Sequence, residues 1–486
     1  MKFPMIRLMQ NVFVLLWLTG SGLAHATTMT GLPEVLKEAL LRQSIPLESV
    51  SFAVQDMDAL SPEWQWNETV PRSPASLMKI VTTYSALMAF GPAKTWETEL
   101  KGSRPNQEGV MAGPLYVVGG GDPGLTREDW EDVLRALRLK GVRKIDGDLV
   151  LDDSLFKVES PDENAFDHQG FRAYNVKPSS LQVGLKAMIL TFSVRDGRVM
   201  VQPDFPFPEI IIENRLQPEG GPCPIQWKSH LDIQVRDDGK TGKVTLTGFY
   251  PTGCGAKELG LGLLSEQTYI GSLFRQMWRE VGGEWTGQVR NGLAPAGAPT
   301  LVCHESRSLG VLITEINKYS NNTMARTLFL DLGVGQGVPA TESVSAQATE
   351  KILRSQGMDF REMKIDNGAG LSRDSRISAQ HLLQVLLAAA RGPWQPEFES
   401  SLSIAGLDGT ARNRLAGEVN MGHFHVKTGT IDGVSGIAGY VLDTRGRKRA
   451  FVLMINDPGA GNALPVQNAL LRWLGHGASG GLNTAH

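Results

Sequence analysis

The chain has only three cysteines among 486 residues, no apolar run long enough to cross a bilayer and no surplus of basic side chains. Each absence removes a class of function. A membrane-spanning helix needs about 20 consecutive apolar residues, and the strongly apolar stretch at 12–18 (VFVLLWL) is far shorter. With 48 basic against 51 acidic residues, the chain lacks the basic face that a nucleic-acid partner requires. No Cys/His cluster has zinc-ligand spacing. His423 and His425 alternate around Phe424 and read as strand residues. The glycine-rich stretch 333–337 lacks a preceding strand and the remainder of a phosphate-loop fingerprint, so it reads as a loop. No long internal repeat is present. Neither a metal nor a cofactor is expected.

What is present describes an ordinary globular chain, 41% hydrophobic and 20% charged, with room for two or three domains of about 150 residues each. Its 54 glycines suit many turns and a mixed α/β fold better than a helical bundle. Residues 1–26 read as a cleaved export signal. Lys2 and Arg7 precede the apolar stretch, and Ala24-His25-Ala26 gives a small-x-small cleavage site. Export places the cysteines in an oxidising compartment, where two of them can pair. Cys223 (GGPCP) and Cys254 (PTGCG) both lie in Gly/Pro-rich turns at the ends of a strand-like stretch, so that pair is favoured. Cys303 is left over as a buried thiol in an apolar strand.

Periodicity divides the chain into three parts. Residues 49–57 and 64–66 alternate as half-buried strands, and from Ser76 an i, i+3, i+4 stripe (Leu77, Ile80, Val81, Tyr84, Leu87, Met88) predicts a buried amphipathic helix. From 96 to 294 short strand candidates recur, interrupted by helices at 127–139 and 266–281, which marks inserted, mostly-β accessory domains. The last third returns to helices at 309–332, 346–356 and 378–390. Strands follow at 423–428, continued by 436–442, and at 448–455, with a C-terminal helix at 463–474. The tail, 476–486, reads as disordered.

Three short motifs carry chemistry. Ser76-Leu77-Met78-Lys79 places a lysine one helical turn from a serine hydroxyl. A serine is a poor nucleophile until a base takes its proton, and a desolvated lysine can be that base. Ser320-Asn321-Asn322 offers a hydroxyl that can relay a proton and an amide, Asn322, that can orient the lysine and hold a substrate carbonyl. Lys427-Thr428-Gly429-Thr430 offers an ammonium and hydroxyls for a carboxylate. Gly429 would let a ligand approach the strand edge, and the Thr430 N–H could complete an oxyanion hole with that of Ser76. Each motif alone has a plain structural reading: a helix-start serine, a polar helix junction, an edge-strand lysine. Their order together is the signature of penicillin-binding proteins and serine β-lactamases, with Asn321 where aspartate is usual.

Beyond these motifs the chain resembles the D-alanyl-D-alanine carboxypeptidase/endopeptidase family of class C low-molecular-mass penicillin-binding proteins, the DacB type. The resemblance rests on Gly119-Gly120-Gly121-Asp122-Pro123, Leu151-Asp152-Asp153-Ser154-Leu155-Phe156, Ala173-Tyr174-Asn175, Asn317 to Asn322, Gly370-Leu371-Ser372-Arg373 and Gly406-Leu407-Asp408-Gly409-Thr410. It covers the chain from about residue 30 to 475. It implies a discontinuous penicillin-recognising, β-lactamase-like domain (an antiparallel sheet flanked by helices) from 27–95 plus 295–475. The accessory domains would be nested in it, the inner one at about 155–250. It further implies a periplasmic hydrolase acting on peptidoglycan stem peptides and cross-links. Ser76 would be acylated, with Lys79 as base, and Ser320 and Lys427 would return the proton. Thr428 and Thr430 would hold the terminal carboxylate, and Arg373 would contact a carboxylate on a diamino acid. β-Lactams would acylate Ser76 as substrate mimics, and loose membrane association is allowed. The rival readings are a β-lactamase or esterase on the same scaffold, and a non-catalytic peptidoglycan-binding protein.

Overall fold

The computed structural model describes residues 28–159, 166–167, 169–262, 264–336, 339–418 and 422–478. The expected export signal, 1–26, and residues 479–486 of the expected tail lie outside the described residues. Among those described, no helix is long and apolar enough to cross a membrane.

A seven-stranded sheet forms the framework. In chain order its strands are β1 (Met29–Thr30), β2 (Val50–Asp56), β3 (Trp64–Trp66), β4 (Ser403–Ile404), β5 (Phe424–Ile431), β6 (Val434–Leu442) and β7 (Lys448–Asn456). They lie in the order β1-β3-β2-β7-β6-β5-β4, antiparallel except for the short β1–β3 pair. In β6 and β7 nearly every residue is buried. Successive side chains point to opposite faces, so both faces must be covered. One face, through Phe52, Val54, Phe451 and Leu453, packs on the terminal helices α1 (Glu34–Arg42) and α7 (Leu464–Gly475). The other face, through Ala53, Ala450, Val452 and Met454, packs on a helical layer. That layer comprises α2 (Met78–Phe90), α3 (Leu309–Lys318), α4 (Asn322–Asp331), α5 (Glu342–Ser355) and α6 (Ala379–Arg391). This part of the chain is therefore a three-layer α/β/α sandwich.

Two sequence expectations change here. Helix α2 is buried as expected, but on every side and not along one stripe: Met78 to Leu87 are all buried, because α3, α4, α5 and α6 surround it. Two of its buried hydroxyls find internal partners, Thr82 Oγ1 donating to Gly368 O at 2.6 Å and Thr83 Oγ1 to Lys79 O at 2.7 Å. The expected continuation of strand 423–428 into 436–442 is instead a hairpin. Asp432-Gly433 forms a two-residue turn, with Gly433 at φ 73°, and Ile431 pairs with Val434.

The inserted part carries a single buried cluster of its own, from Leu100 to Val302. Its five-stranded sheet joins Glu97–Lys101 to Thr300–Glu305, so the sheet includes residues beyond 294. A further sheet pairs Met188–Arg195 with Lys257–Leu261, beyond residue 250. The helix Arg127–Leu139 occurs with the bounds its periodicity predicts, closed by a Thr126/Asp129 capping box. Cys223 and Cys254 are disulfide-bonded just past the ends of two paired strands, Gln217–Pro222 and Gly242–Gly253. Cys303 is exposed rather than buried. It sits on the outer strand of the five-stranded sheet, where Val302 turns inward and its neighbour must turn outward.

Candidate active site

The site forms where the helical layer meets the open edge of β5. A one-turn 3-10 helix, Ala75–Leu77, leads into α2 and carries Ser76. Pro71 and Pro74 deny the segment before it a helical start. Ala75 is held at φ 46°, a left-handed conformation that costs an alanine about 1–2 kcal/mol. The surroundings enforce it: β5 and β6 press on this turn through glycines. A Cβ on Gly429 would lie 2.8 Å from Pro74 O and 3.0 Å from Ser76 N, and one on Gly436 would meet the Leu77 side chain at 2.8 Å. Gly429 therefore admits the turn that bears Ser76, not an incoming ligand, which corrects the role expected of it.

Lys79 stands one turn after Ser76 with no exposed surface. Its Nζ lies 3.0 Å from Ser76 Oγ, 2.7 Å from Asn322 Oδ1 and 2.7 Å from the carbonyl of Ala369. Burial, and secondarily the charge of Lys427, hold its pKa well below that of an ordinary lysine. Asn322 is the first residue of α4, and Asn321 caps that helix by accepting from Met324 N at 3.1 Å. Asparagine and aspartate cap equally well, so the exchange at 321 leaves the helix start intact. Asn322 Nδ2 faces the carbonyl of Tyr174 at 3.5 Å, which brings the inserted part to the edge of the site.

Lys427 on β5 is likewise fully buried. Its Nζ donates to Ser320 Oγ at 3.0 Å and to Thr428 O at 2.7 Å, and burial alone lowers its pKa to about 7. Ser320 occupies the break between α3 and α4 at φ 58°, which turns its hydroxyl towards Lys427. Thr428 Oγ1 donates to Thr410 Oγ1 at 2.8 Å. Ala405 N donates to Phe424 O, and β4 pairs Val426 with Ser403, so even-numbered residues of β5 direct their backbone groups to that edge. Beyond Ser403 this edge has no partner strand among the described residues, so apart from the Thr428 carbonyl, which accepts from Lys427, the Thr428 and Thr430 backbone faces an unpaired edge where an extended peptide can lie.

The structure thus unites Ser76, Lys79 and Asn322 in one cluster and Ser320, Lys427 and Thr428 in another, with the charge of Lys427 acting on Lys79. Arg373 stands apart at the rim. It donates to Asp432 O at 2.6 Å, and its guanidinium lies 5.0 Å from the centre of the Phe166 ring. Close by, Tyr174 Oη donates to Asp167 at 2.7 Å. His423 and His425 bond backbone carbonyls, of Leu442 and Glu399. Sequence reasoning did not single out Ala369 or assign Thr410 a role. A backbone carbonyl leaves no side-chain signature, although two glycines flanking one alanine do signal a tight turn.

Comparison with known proteins gives a consistent picture. The model of a family described as the D-Ala-D-Ala carboxypeptidase 3 (S13) family matches residues 32–476. The D-alanyl-D-alanine carboxypeptidase DacB of Haemophilus influenzae is 27% identical over 434 residues, covering 87% of this chain and 88% of that protein. A D-alanyl-D-alanine carboxypeptidase of an Actinomadura species is 29% identical over 431 residues, covering 84% of this chain and 78% of the relative. The crystal structure of penicillin-binding protein 4 from H. influenzae superposes with a TM-score of 0.75 at 24% identity, over 90% of this chain and 99% of its own, and so shares the fold. A second structure of that protein, at TM-score 0.72, holds a β-lactam.

Proposed function

The chain belongs to the D-Ala-D-Ala carboxypeptidase 3 (S13) family, and from that premise we propose that it is a periplasmic serine peptidase of peptidoglycan. It cleaves the terminal D-Ala-D-Ala bond of stem peptides, and D-Ala cross-links, through an acyl-enzyme on Ser76. The observation that carries this reading is the convergence of all three motifs on two fully buried lysines, one at 3.0 Å from Ser76 Oγ and the other at 3.0 Å from Ser320 Oγ.

In this reading Lys79, neutral through burial, takes the Ser76 proton as Oγ attacks the D-Ala carbonyl carbon. The oxyanion lies between the N–H groups of Ser76 and Thr430 at the start of the nucleophile turn. Lys427 and Ser320 deliver a proton to the departing amine, the C–N bond breaks, and the acyl group remains on Ser76 until water releases it. Asn322 holds the substrate amide, Thr428 and Thr430 the terminal carboxylate, and the open edge of β5 the extended peptide. Arg373 contacts a carboxylate on the diamino acid side chain. β-Lactams present the same carbonyl and carboxylate and acylate the same oxygen. Among the described residues no carboxylate hydrogen-bonds Ser76 or Lys79, which supports a long-lived penicilloyl-enzyme over β-lactamase turnover. The leader-like 1–26 segment and the Cys223–Cys254 disulfide support an exported location.

Muropeptide digestion followed by mass spectrometry tests the reading. Pentapeptide monomers should lose one D-alanine, and D-Ala cross-linked dimers should separate into monomers. Intact dimers beside trimmed pentapeptides would restrict the enzyme to carboxypeptidase action. Both substrates surviving would refute the proposal.

A further inference from the structure

The surroundings of Lys79 contain more order than a buried base requires. Three oxygens lie within 3.0 Å of its Nζ: Ser76 Oγ, Asn322 Oδ1 and Ala369 O. An ammonium has three N–H bonds to give, and the neutral amine has two together with one lone pair. Ala369 O is a carbonyl and can only accept. Asn322 Oδ1 is an acceptor too, because the other end of that amide faces the Tyr174 carbonyl. Ser76 Oγ alone among the three can donate. In neutral Lys79 the two N–H bonds therefore go to the two carbonyls, and the lone pair is left facing the Ser76 hydroxyl. Without Ala369 O, one N–H would be free to turn towards Ser76 and the lone pair away from it.

The Ala369 carbonyl is held from several directions. Ala369 N donates to Asn367 Oδ1 at 3.1 Å, an Asx turn, and Asn367 Nδ2 donates to Leu371 O at 2.7 Å, closing the loop over Ala369. Thr82 Oγ1, from α2 itself, fixes the adjacent carbonyl of Gly368 at 2.6 Å. Gly368 and Gly370 flank Ala369 at φ 68° and 74°. A Cβ on Gly370 would fall 1.8 Å from Ala75 O, against the turn that bears Ser76. Asn367 is 9% exposed and Ala369 fully buried. One rigid loop thus touches both the nucleophile turn and its base.

We propose that the 366–371 loop is a positioning device for the base, and that Asn367 is a positioning residue which acts through the Ala369 carbonyl to aim the Lys79 lone pair at Ser76. This rests on the reading of Lys79 as the base of an acyl-enzyme reaction. As Ser76 Oγ bonds to the substrate carbonyl carbon, its proton passes to that lone pair, and the resulting ammonium keeps both carbonyls as acceptors. The charged group that acts on Lys79 is Lys427, from β5; in the loop itself Asp366 accepts from Asn367 Nδ2 at 3.3 Å. The loop also keeps water from Nζ, so releasing it rehydrates the amine and returns its pKa towards an ordinary lysine.

The test is the rate of acylation by a reporter penicillin as a function of pH, in the full chain and in Asn367→Ala and Asn367→Ser, with thermal unfolding alongside. Asn367→Ala should lower the limiting rate by about ten- to a hundredfold and move the acid limb up by about one pH unit. Serine can still accept from Ala369 N, so Asn367→Ser should recover part of both, and it carries the test if the alanine variant does not fold. A mere loss of folded protein would reduce the amplitude and leave the acid limb in place. That result, or profiles that coincide with the wild type, would overturn the inference. Wild-type protein that is not acylated, or Lys79→Ala acylated as fast as wild type, would overturn the reading of the site itself, and the inference with it.

Discussion

Replacing Lys427 by methionine should abolish turnover and shift stability in favour of the variant as the pH is lowered. The amine is fully buried and its pKa is lowered from 10.5 to about 7. One pKa unit corresponds to about 1.4 kcal/mol, so the native state carries a penalty that grows from about zero above pH 10.5 to roughly 5 kcal/mol below pH 7. The sign follows from proton counting. Between about pH 7 and 10.5 the unfolded chain holds a proton on this lysine that the folded chain lacks, so wild-type stability falls as pH is lowered through that window and then levels. Methionine removes the penalty and leaves Ser320 Oγ and Thr428 O without their donor, a loss of about 1–3 kcal/mol each, reduced where water reaches them. The two effects oppose each other. The variant should be less stable than wild type near pH 10.5 and should gain about 4 kcal/mol relative to wild type as the pH falls to 7. Loss of the neighbouring charge also relaxes Lys79, which adds to the gain at low pH. Urea unfolding of both proteins at several values across this window measures the difference. A difference that stays constant from pH 7 to 10 would show that Lys427 is not desolvated, and the account of its lowered pKa would fail.

Other consequences are open to simpler assays. Gly429→Ala sets a Cβ against Pro74 O and Ser76 N; overpacking should cost about 1–3 kcal/mol, and displacement of Ser76 should slow penicillin acylation about a hundredfold. An unchanged acylation rate would show that the turn tolerates the shift. Opening the Cys223–Cys254 bond, whose cysteines are 31 positions apart, should cost about 3–4 kcal/mol by loop entropy. It should lower the thermal midpoint and leave the acylation rate of the folded protein unchanged, since it belongs to the core of the inserted part. Arg373→Ala should raise KM about tenfold for stem peptides with a free carboxylate on the diamino acid, without slowing penicillin acylation; equal effects on both would remove Arg373 from substrate recognition.

The parts of this structure that could be read in advance are those written in contiguous residues. Ser-x-x-Lys needs only one helical turn to bring Lys79 to Ser76, and the Lys-Thr-Gly strand needs only an exposed edge. Cys223 and Cys254 announced themselves by the turns that hold them. What escaped depends on partners distant in the chain. Glu97–Lys101 becomes a strand by pairing with Thr300–Glu305, and the burial of α2 on every side is decided by four later helices. The Asp432-Gly433 turn is a hairpin signal in the sequence, and the expected continuation of strand 423–428 into 436–442 passed over it. Gln217–Pro222 looked like a turn from its Gly and Pro content, yet Gly242–Gly253 draws it into a sheet. Cys303 looked buried by composition, whereas its exposure follows from strand register. The Ala369 carbonyl could not be read at all, because its part is played by the backbone.

The central claim is that Ser76 Oγ attacks a D-alanyl carbonyl with Lys79 as its base. Rapid quenching of the enzyme with a D-Ala-D-Ala pentapeptide, followed by peptide mapping by mass spectrometry, tests it most directly. The account predicts a mass increase equal to the stem peptide less its terminal D-alanine, located on the peptide bearing Ser76, absent in Ser76→Ala and strongly reduced in Lys79→Ala. Release of D-alanine by the Ser76→Ala protein, or an adduct on any other residue, would contradict it.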